Sequence, residues 1–431
     1  MWLDCGRPRS GAVSVCMRRS RLAYHYAIRK VRKDEEFIKS ERIATSMLSN
    51  NTRDFWAEIK RIRSNSAGIS STIDGASDSQ SISKIFVNKY RELYTCVCHS
   101  VDDLRSIRDE INDKICQEAS SDDLFFNGLG IRAAARRLKP HKNDVCAGLA
   151  SDHFINAGDD CFAHLTMLFN AIVVHGDLPD TFLYSTIVPI PKGRNVNLSD
   201  SSNYRGIALS SLYGKLFDNA VLMYFSDKLT TSDLQFGFKA RSSTSQCTFV
   251  LKESLAYYIN NNSTVYCAFL DATKAFDRVN YCKLFRLIIR RKLPLLLVRV
   301  MLNFYISNFV RVSWCGYFSE YFLATNGVKQ GGVLSPVLFC VYLDELLLAL
   351  SAAKVGCYVG SVFVGALAYA DDLVLIAPSA TALRKMLAIC DAYASDYFMN
   401  FNAGKSKCMV ILSRGRRTLR PLISKCSFKI G

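Results

Sequence analysis

At 431 residues with 49% apolar side chains, the chain has material for one large core with interleaved subdomains or for two or three domains. Its 55 Lys+Arg against 38 Asp+Glu leave a net +17, which suits a polyanion such as nucleic acid, or an anionic membrane surface. Sixteen cysteines scattered through apolar runs, with no recognisable signal peptide, exclude a disulfide scaffold and read as reduced, mostly buried thiols of an intracellular protein.

Taken in chain order, residues 18–63 are charged, helix-favouring and free of Gly and Pro, which predicts a basic arm of one or two helices. Residues 64–82, rich in Ser and Gly, read as a flexible linker. A helical stretch over 82–94 leads into an acidic, less structured span ending near Asp123. Cys96, Cys98 and His99 form the one Cys/His cluster, and they lack the spacing of a tetrahedral zinc site. A globular body starts near Asn127, with an amphipathic helix over 149–174 that ends at Gly176 and a short strand over 185–191 closed by prolines.

Further along, 266–270 reads as a fully buried strand, and 363–377 as two apolar strands meeting at Asp371 and Asp372. Between them, 336–350 is an apolar helix with Ser335 as N-cap and Pro336 at the first helical position. The apolar run 355–370 is too short for a membrane span and holds Gly356, Gly360 and Gly365, so it reads as paired core strands. The order strand, helix, hairpin, helix, with non-local strand pairing, predicts an α+β fold rather than a doubly wound one.

Asp271 stands where a buried strand leaves the sheet, and Asp371 and Asp372 at the tip of an equally apolar hairpin. Any one of them alone reads as a turn residue, since Asp tolerates left-handed backbone. Two adjacent carboxylates flanked by core strands repel each other and lose hydration, and a divalent cation is the natural compensation. Two-metal phosphoryl transfer needs oxygen ligands from separate elements, here separated by 371 − 271 = 100 residues.

FLDATKAFDRV (269–279), GVKQGGVLSPVLF (327–339), YADDL (369–373) and NAGKSK (402–407) resemble, in order and spacing, the palm motifs of reverse transcriptases. IVPIPKG (187–193), NYRGIALSSLYGKLFD (203–218) and LQFGFKARSSTSQC (234–247) resemble the fingers motifs of non-LTR, LINE-type retrotransposon proteins. CAGLASDHFINAG (146–158) is similar to their additional N-terminal segment, and RDFWAEIK (53–60) to the region joining endonuclease and reverse transcriptase.

The resemblance implies a right-hand polymerase: a basic helical arm over 1–63, a linker and helical connector over 64–126, fingers over 127–265, palm over 266–413, and a basic tail, 414–431, as the start of a truncated thumb. It implies an RNA-directed DNA polymerase with two Mg²⁺ ions, replaceable by Mn²⁺, acting on RNA template, DNA primer and dNTPs, with no membrane partner, in cytoplasm and nucleus. Asp271, Asp371 and Asp372 would hold the metals, with the Ala272 carbonyl assisting. Phe276 would block a 2′-hydroxyl, and it also reads as core packing; Lys192 and Arg205 would clamp the triphosphate. Gln330 and Gly331, with Gly332, would line the nascent base pair. Lys405, with Lys407 as the alternative, would protonate the leaving pyrophosphate, while Asp277 is assigned to structure. Gly206 departs from the family's proline after the Tyr-Arg pair, a change expected to loosen a loop while keeping Arg205 in place. The competing reading is a retroelement remnant that binds nucleic acid without polymerising.

Overall fold

A computed structural model describes residues 6, 8–48, 72–97, 101–117, 125–144, 148–193 and 196–413. The expected RDFWAEIK segment, Cys98, His99, Asp123, the start of CAGLASDHFINAG and the basic tail 414–431 lie outside them. The chain divides into two units, Met1–Ser70 and Ser71–Gly431. In the first, the described part of the expected basic arm forms helix α1 (Ala12–Leu48), with Leu22, Tyr24 and Tyr26 exposed.

In the second unit, the linker reading fails over its last residues. Ile73 is fully buried and bridged to Ala76, and Asp74 accepts from the Ser201 N–H at 3.0 Å. Helix α2 (Ser79–Leu93) starts just beyond, capped by the Asp78 side chain, which accepts from the Ser81 N–H at 2.7 Å. The acidic span also contains a helix, α3 (Val101–Gln117), because Leu104, Ile107 and Ile111 repeat at helical spacing and are buried. The expected helix over 149–174 is two helices, α4 (Ser151–Ile155) and α5 (Asp159–His175), broken near Gly158; Gly176 closes the second in left-handed conformation, φ +81°.

The first sheet has the order β2-β1-β4-β5, with β6 also pairing β4. Its strands are β1 (Tyr184–Pro191), β2 (Tyr204–Ser210), β4 (Phe309–Trp314), β5 (Tyr317–Phe318) and β6 (Phe322–Leu323), and β1 pairs β4 in parallel. One face is covered by Ile82, Phe86 and Tyr90 of α2, which pack with Ile187, Tyr204, Val312 and Trp314. Gly206 belongs to this face as a buried strand residue opposite Pro189, not to a loop. A Cβ there would lie 2.8 Å from the Tyr90 ring and 2.9 Å from Ile187 Cγ2. Its lack of a side chain lets α2 seat against the sheet.

The second sheet has the order β11-β3-β10-β9: β3 (Val265–Asp271), β9 (Ala366–Tyr369), β10 (Asp372–Ala377) and β11 (Lys407–Ile411). It is antiparallel throughout. In β3, Tyr266 and Phe269 are only part-buried, so the strand is less enclosed than expected. The run 355–370 forms the small hairpin β7 (Tyr358–Val359) with β8 (Val362–Phe363), then β9. One sheet face packs on α7 (Ser335–Ala352) and α8 (Ala380–Asp396), the other on α6 (Thr244–Asn260) and the β7–β8 hairpin.

Helix α7 begins one residue earlier than expected: Leu334 holds the cap position without a side-chain bond, and Ser335 is the first helical residue. It is the one described helix long and apolar enough to cross a membrane. Leu338, Phe339, Leu343, Leu346, Leu347 and Leu350 are buried in the core instead, each contributing about 1.5–3 kcal/mol there.

Asp277, just past the end of β3, is 4% exposed. Gln330 Nε2 donates to both its carboxylate oxygens at 2.8 Å, and Asn326 Nδ2 donates to its backbone carbonyl at 2.6 Å. The Ala208 N–H donates to the Gln330 carbonyl at 2.7 Å, tying the network to β2. Asp277 is thus structural, as expected.

Two outcomes follow from this packing. Gly206→Ala should cost about 1–3 kcal/mol by overpacking against an immobile Tyr90 ring; an unchanged urea midpoint contradicts that. Burial also lifts the Asp277 carboxyl to about 6, outweighing the bonds from Gln330 and Tyr94. The folded state therefore binds this proton more tightly than the unfolded chain, and the stability it adds below about pH 4 is lost as pH rises through about 6. Between about pH 4 and pH 7, Asp277→Asn should gain stability relative to the parent; a pH-independent difference in urea midpoints refutes the assignment.

Candidate active site

The central strands β3 and β10 of the second sheet are largely buried until they reach one end, and there the aspartates emerge. Asp271 is the last residue of β3 and Asp372 the first of β10, and the two are register partners. Tyr369 pairs with Asp372, leaving Ala370 and Asp371 as the two central residues of the turn. The left-handed position of the turn is Ala370, φ +57°. Asp371 is half-buried and Asp372 exposed. Burial raises the Asp371 carboxyl above its ordinary range, Asp372 and Asp271 add to that, and Arg205 opposes it.

On the other side of β3, the Asp271 N–H donates to Ser406 Oγ at 3.2 Å, and its carbonyl accepts from the Asn402 N–H at 2.8 Å. Ala272 is buried and bridged to Phe401. Asn402 Oδ1 accepts from the Gly404 and Lys405 N–H groups at 3.0 and 3.1 Å, a local turn that presents Lys405. Lys405 Nζ lies 3.5 Å from Asp271 Oδ2. Lys407 starts β11 opposite Phe269, so Lys405 is the lysine brought to the aspartates.

More cations converge from the first sheet. Lys192 Nζ donates to the Ser202 carbonyl at 2.7 Å, and Arg205 projects, exposed, from β2. Burial lowers the Lys192 pKa, and neighbouring Lys405, Lys274 and Arg205 lower it further. Lys89 of α2, which donates to the Ser201 carbonyl, is lowered by burial and then by Lys192 and Lys274. Lys89 and Lys274 were not singled out from the sequence. Lys274 lies inside the FLDATKAFDRV motif among the residues that carry its chemistry; Lys89 comes from a helix distant in sequence.

Phe276 stacks on Phe339 with centroids 4.5 Å apart and meets Phe238 edge-on at 6.2 Å. It remains half-buried, so it packs in the core and still reaches solvent. Gln330 is brought near, with its amide held by Asp277. At Gly331, φ +108°, a Cβ would stand 2.8 Å from the Ala208 carbonyl; at Gly332, 2.6 Å from Ser335 Oγ. The close approach these glycines allow is to the protein's own backbone and to the Ser335 hydroxyl. Gln235, also missed, is buried and bonded to the backbone of Ala370.

Among the described residues no three His, Cys, Asp or Glu side chains stand close enough to form a ready metal cage. The donor set fits hard divalent cations all the same: Asp271, Asp371 and Asp372 offer only oxygen, share one edge, and raise each other's need for a counter-charge. The described cysteines other than Cys408 carry free thiols, but only Cys267, Cys340, Cys357 and Cys390 are buried while Cys16, Cys116, Cys161 and Cys315 are exposed, which corrects the reading of mostly buried thiols.

Residues 190–426, over half of the chain, match the family described as reverse transcriptase (RNA-dependent DNA polymerase). The chain is 26% identical over 276 residues to the Retrovirus-related Pol polyprotein from type-1 retrotransposable element R2 of Nasonia vitripennis, covering 64% of this chain and 26% of that protein. It is 27% identical over 249 residues to the corresponding polyprotein of element R2DM of Drosophila melanogaster, covering 58% and 23%. Against the RNA-directed DNA polymerase from mobile element jockey of Drosophila melanogaster it is 28% identical over 195 residues, covering 44% and 21%. The matched region thus spans about a quarter of the curated relatives' length. Taken with the aspartate edge, these matches show that the chain belongs to the reverse transcriptase family and carries the reverse transcriptase domain of a non-LTR, LINE-type retrotransposon protein.

Proposed function

We propose that this chain is an RNA-directed DNA polymerase that adds dNMP units from dNTPs to a DNA primer 3′-hydroxyl on an RNA template. The observation that carries the reading is the meeting of Asp271, Asp371 and Asp372 on one sheet edge with Lys192, Arg205 and Lys405 around them. Carboxylates suit metal ions and the cations suit a triphosphate, and the two sets are electrostatically linked through Arg205.

In this reading residues 266–413 are the palm and 127–265 the fingers, the two ranges sharing the first sheet where β4 pairs with β1; residues 1–63 are a basic arm toward nucleic acid. Asp271, Asp371 and Asp372, with the Ala272 carbonyl, hold two Mg²⁺ ions, for which Mn²⁺ substitutes. When bound, the ions lower the pKa of the attacking hydroxyl and offset charge on the leaving oxygen. The 3′-oxygen attacks the α-phosphorus, the bond to the bridging oxygen breaks, and pyrophosphate leaves. Lys192 and Arg205 orient the triphosphate, and Lys405 supplies the proton to pyrophosphate. Gln330 and Gly331 set the surface under the nascent pair, and the Phe276 ring leaves no room for a 2′-hydroxyl. Buried free thiols at Cys267, Cys340, Cys357 and Cys390 support an intracellular setting, in cytoplasm and nucleus.

Primer extension on RNA tests both roles. Asp371→Asn should lose about 10³-fold or more, several kcal/mol of charge stabilisation, and activity equal to the parent would falsify the metal assignment. Phe276→Ala should raise ribonucleotide use relative to deoxynucleotides by about 10–100-fold. An unchanged preference removes the steric role and leaves Phe276 to its stack on Phe339.

A further inference from the structure

The turn between β9 and β10 places an L-residue, Ala370, in left-handed backbone, which costs about 1–2 kcal/mol unless its surroundings hold it. Ala370 is buried, so its N–H and carbonyl also need partners away from water. One side chain meets both needs. Gln235, 1% exposed, accepts the Ala370 N–H on Oε1 at 3.0 Å and directs Nε2 to the Ala370 carbonyl at a longer 3.4 Å.

Gln235 is itself fixed on three sides. Its Oε1 also accepts the Gly237 N–H at 2.8 Å. The Ala368 N–H donates to the Leu234 carbonyl and the Phe236 N–H to the Ala368 carbonyl, both at 2.8 Å, so 234–236 lies as a short parallel strip along β9. Gly237 sits against the turn so closely that a Cβ would come within 2.3 Å of the Ala370 nitrogen.

We infer that Gln235 is a positioning residue that clamps the Ala370–Asp371 turn and so sets the two hairpin aspartates against Asp271 for metal binding. This rests on the reading of the three aspartates as metal ligands. A glutamine is suited because it supplies donor and acceptor from one rigid plane. Glutamate would lose the donor and add a charge beside Asp371, and methionine keeps the length but neither bond. Groups that orient metal ligands typically change metal affinity by about 10–100-fold when removed.

The test uses the full 431-residue chain and Mn²⁺ as probe, with free Mn²⁺ followed by its paramagnetic resonance and dNTP incorporation measured alongside. In Gln235→Met, half-saturating Mn²⁺ should rise about tenfold and kcat should fall, with the KM for dNTP unchanged. Adding Ala370→Gly, which adopts the left-handed turn unaided, should restore part of the affinity. Unchanged Mn²⁺ affinity in a folded Gln235→Met, or a lowered melting temperature with no shift in Mn²⁺ dependence, overturns the clamp. If Gln235→Met does not fold, Gln235→Glu decides in the same way, a rise supporting the clamp and no change overturning it. Asp371→Asn is the control for the underlying reading: if it leaves Mn²⁺ binding intact, the metal assignment itself fails, whereas loss there with no effect at Gln235 removes only the clamp.

Discussion

The pairing of β3 with β10 puts Asp271 opposite Asp372, an arrangement that two carboxylates free to move would avoid. Behind them the ladder continues through Leu270 with Leu373, Phe269 with Val374, Ala268 with Leu375 and Cys267 with Ile376. Apolar cross-strand pairs contribute about 0.2–1 kcal/mol each, enough together to outweigh repulsion between one exposed and one half-buried carboxylate. Helices α7 and α8 on one face, and α6 with the β7–β8 hairpin on the other, make any slip of register costly. The core thus holds the charges together, and the site inherits its geometry from residues that have no chemistry of their own.

The electrostatics follow from that constraint. Asp371 is raised by burial and by its two neighbours, while Lys192 and Lys89 are lowered by burial and by the cations beside them. Carboxylates crowd on the second sheet and cations gather from the first sheet, α2 and the turn at Lys405. Arg205 links the two sets, opposing the rise at Asp371, and the pairing of carboxylates with cations suits a ligand carrying both metal and phosphate.

Much of the site was legible in the sequence because its motifs are local. A buried strand ending in Asp271, the Asp371-Asp372 pair between apolar strands, and the turn bearing Lys405 each lie within a few residues, and the structure brings all four side chains to one edge. What could not be read depends on contacts across the chain. Gln235 meets Ala370 over 135 residues, and nothing in LQFGF announces a clamp. Gly206 looked like a loosened loop, and its reason is the Tyr90 ring from α2. Helix α3 was missed because its many charges hid the Leu104, Ile107 and Ile111 spacing, and the single helix expected over 149–174 breaks near Gly158. The left-handed turn position is Ala370, and its N–H and carbonyl are engaged by Gln235 rather than by a local side chain.

The central claim is that this edge performs metal-dependent nucleotidyl transfer rather than simply binding nucleic acid. Single-nucleotide incorporation by the purified chain on an RNA template annealed to a DNA primer, in parallel with salt-dependent RNA binding, tests it most directly. The account predicts primers lengthened by the templated deoxynucleotide, with the product lost when a chelator removes divalent ions. Tight, salt-sensitive RNA binding with no lengthened primer at any Mg²⁺ or Mn²⁺ concentration contradicts it.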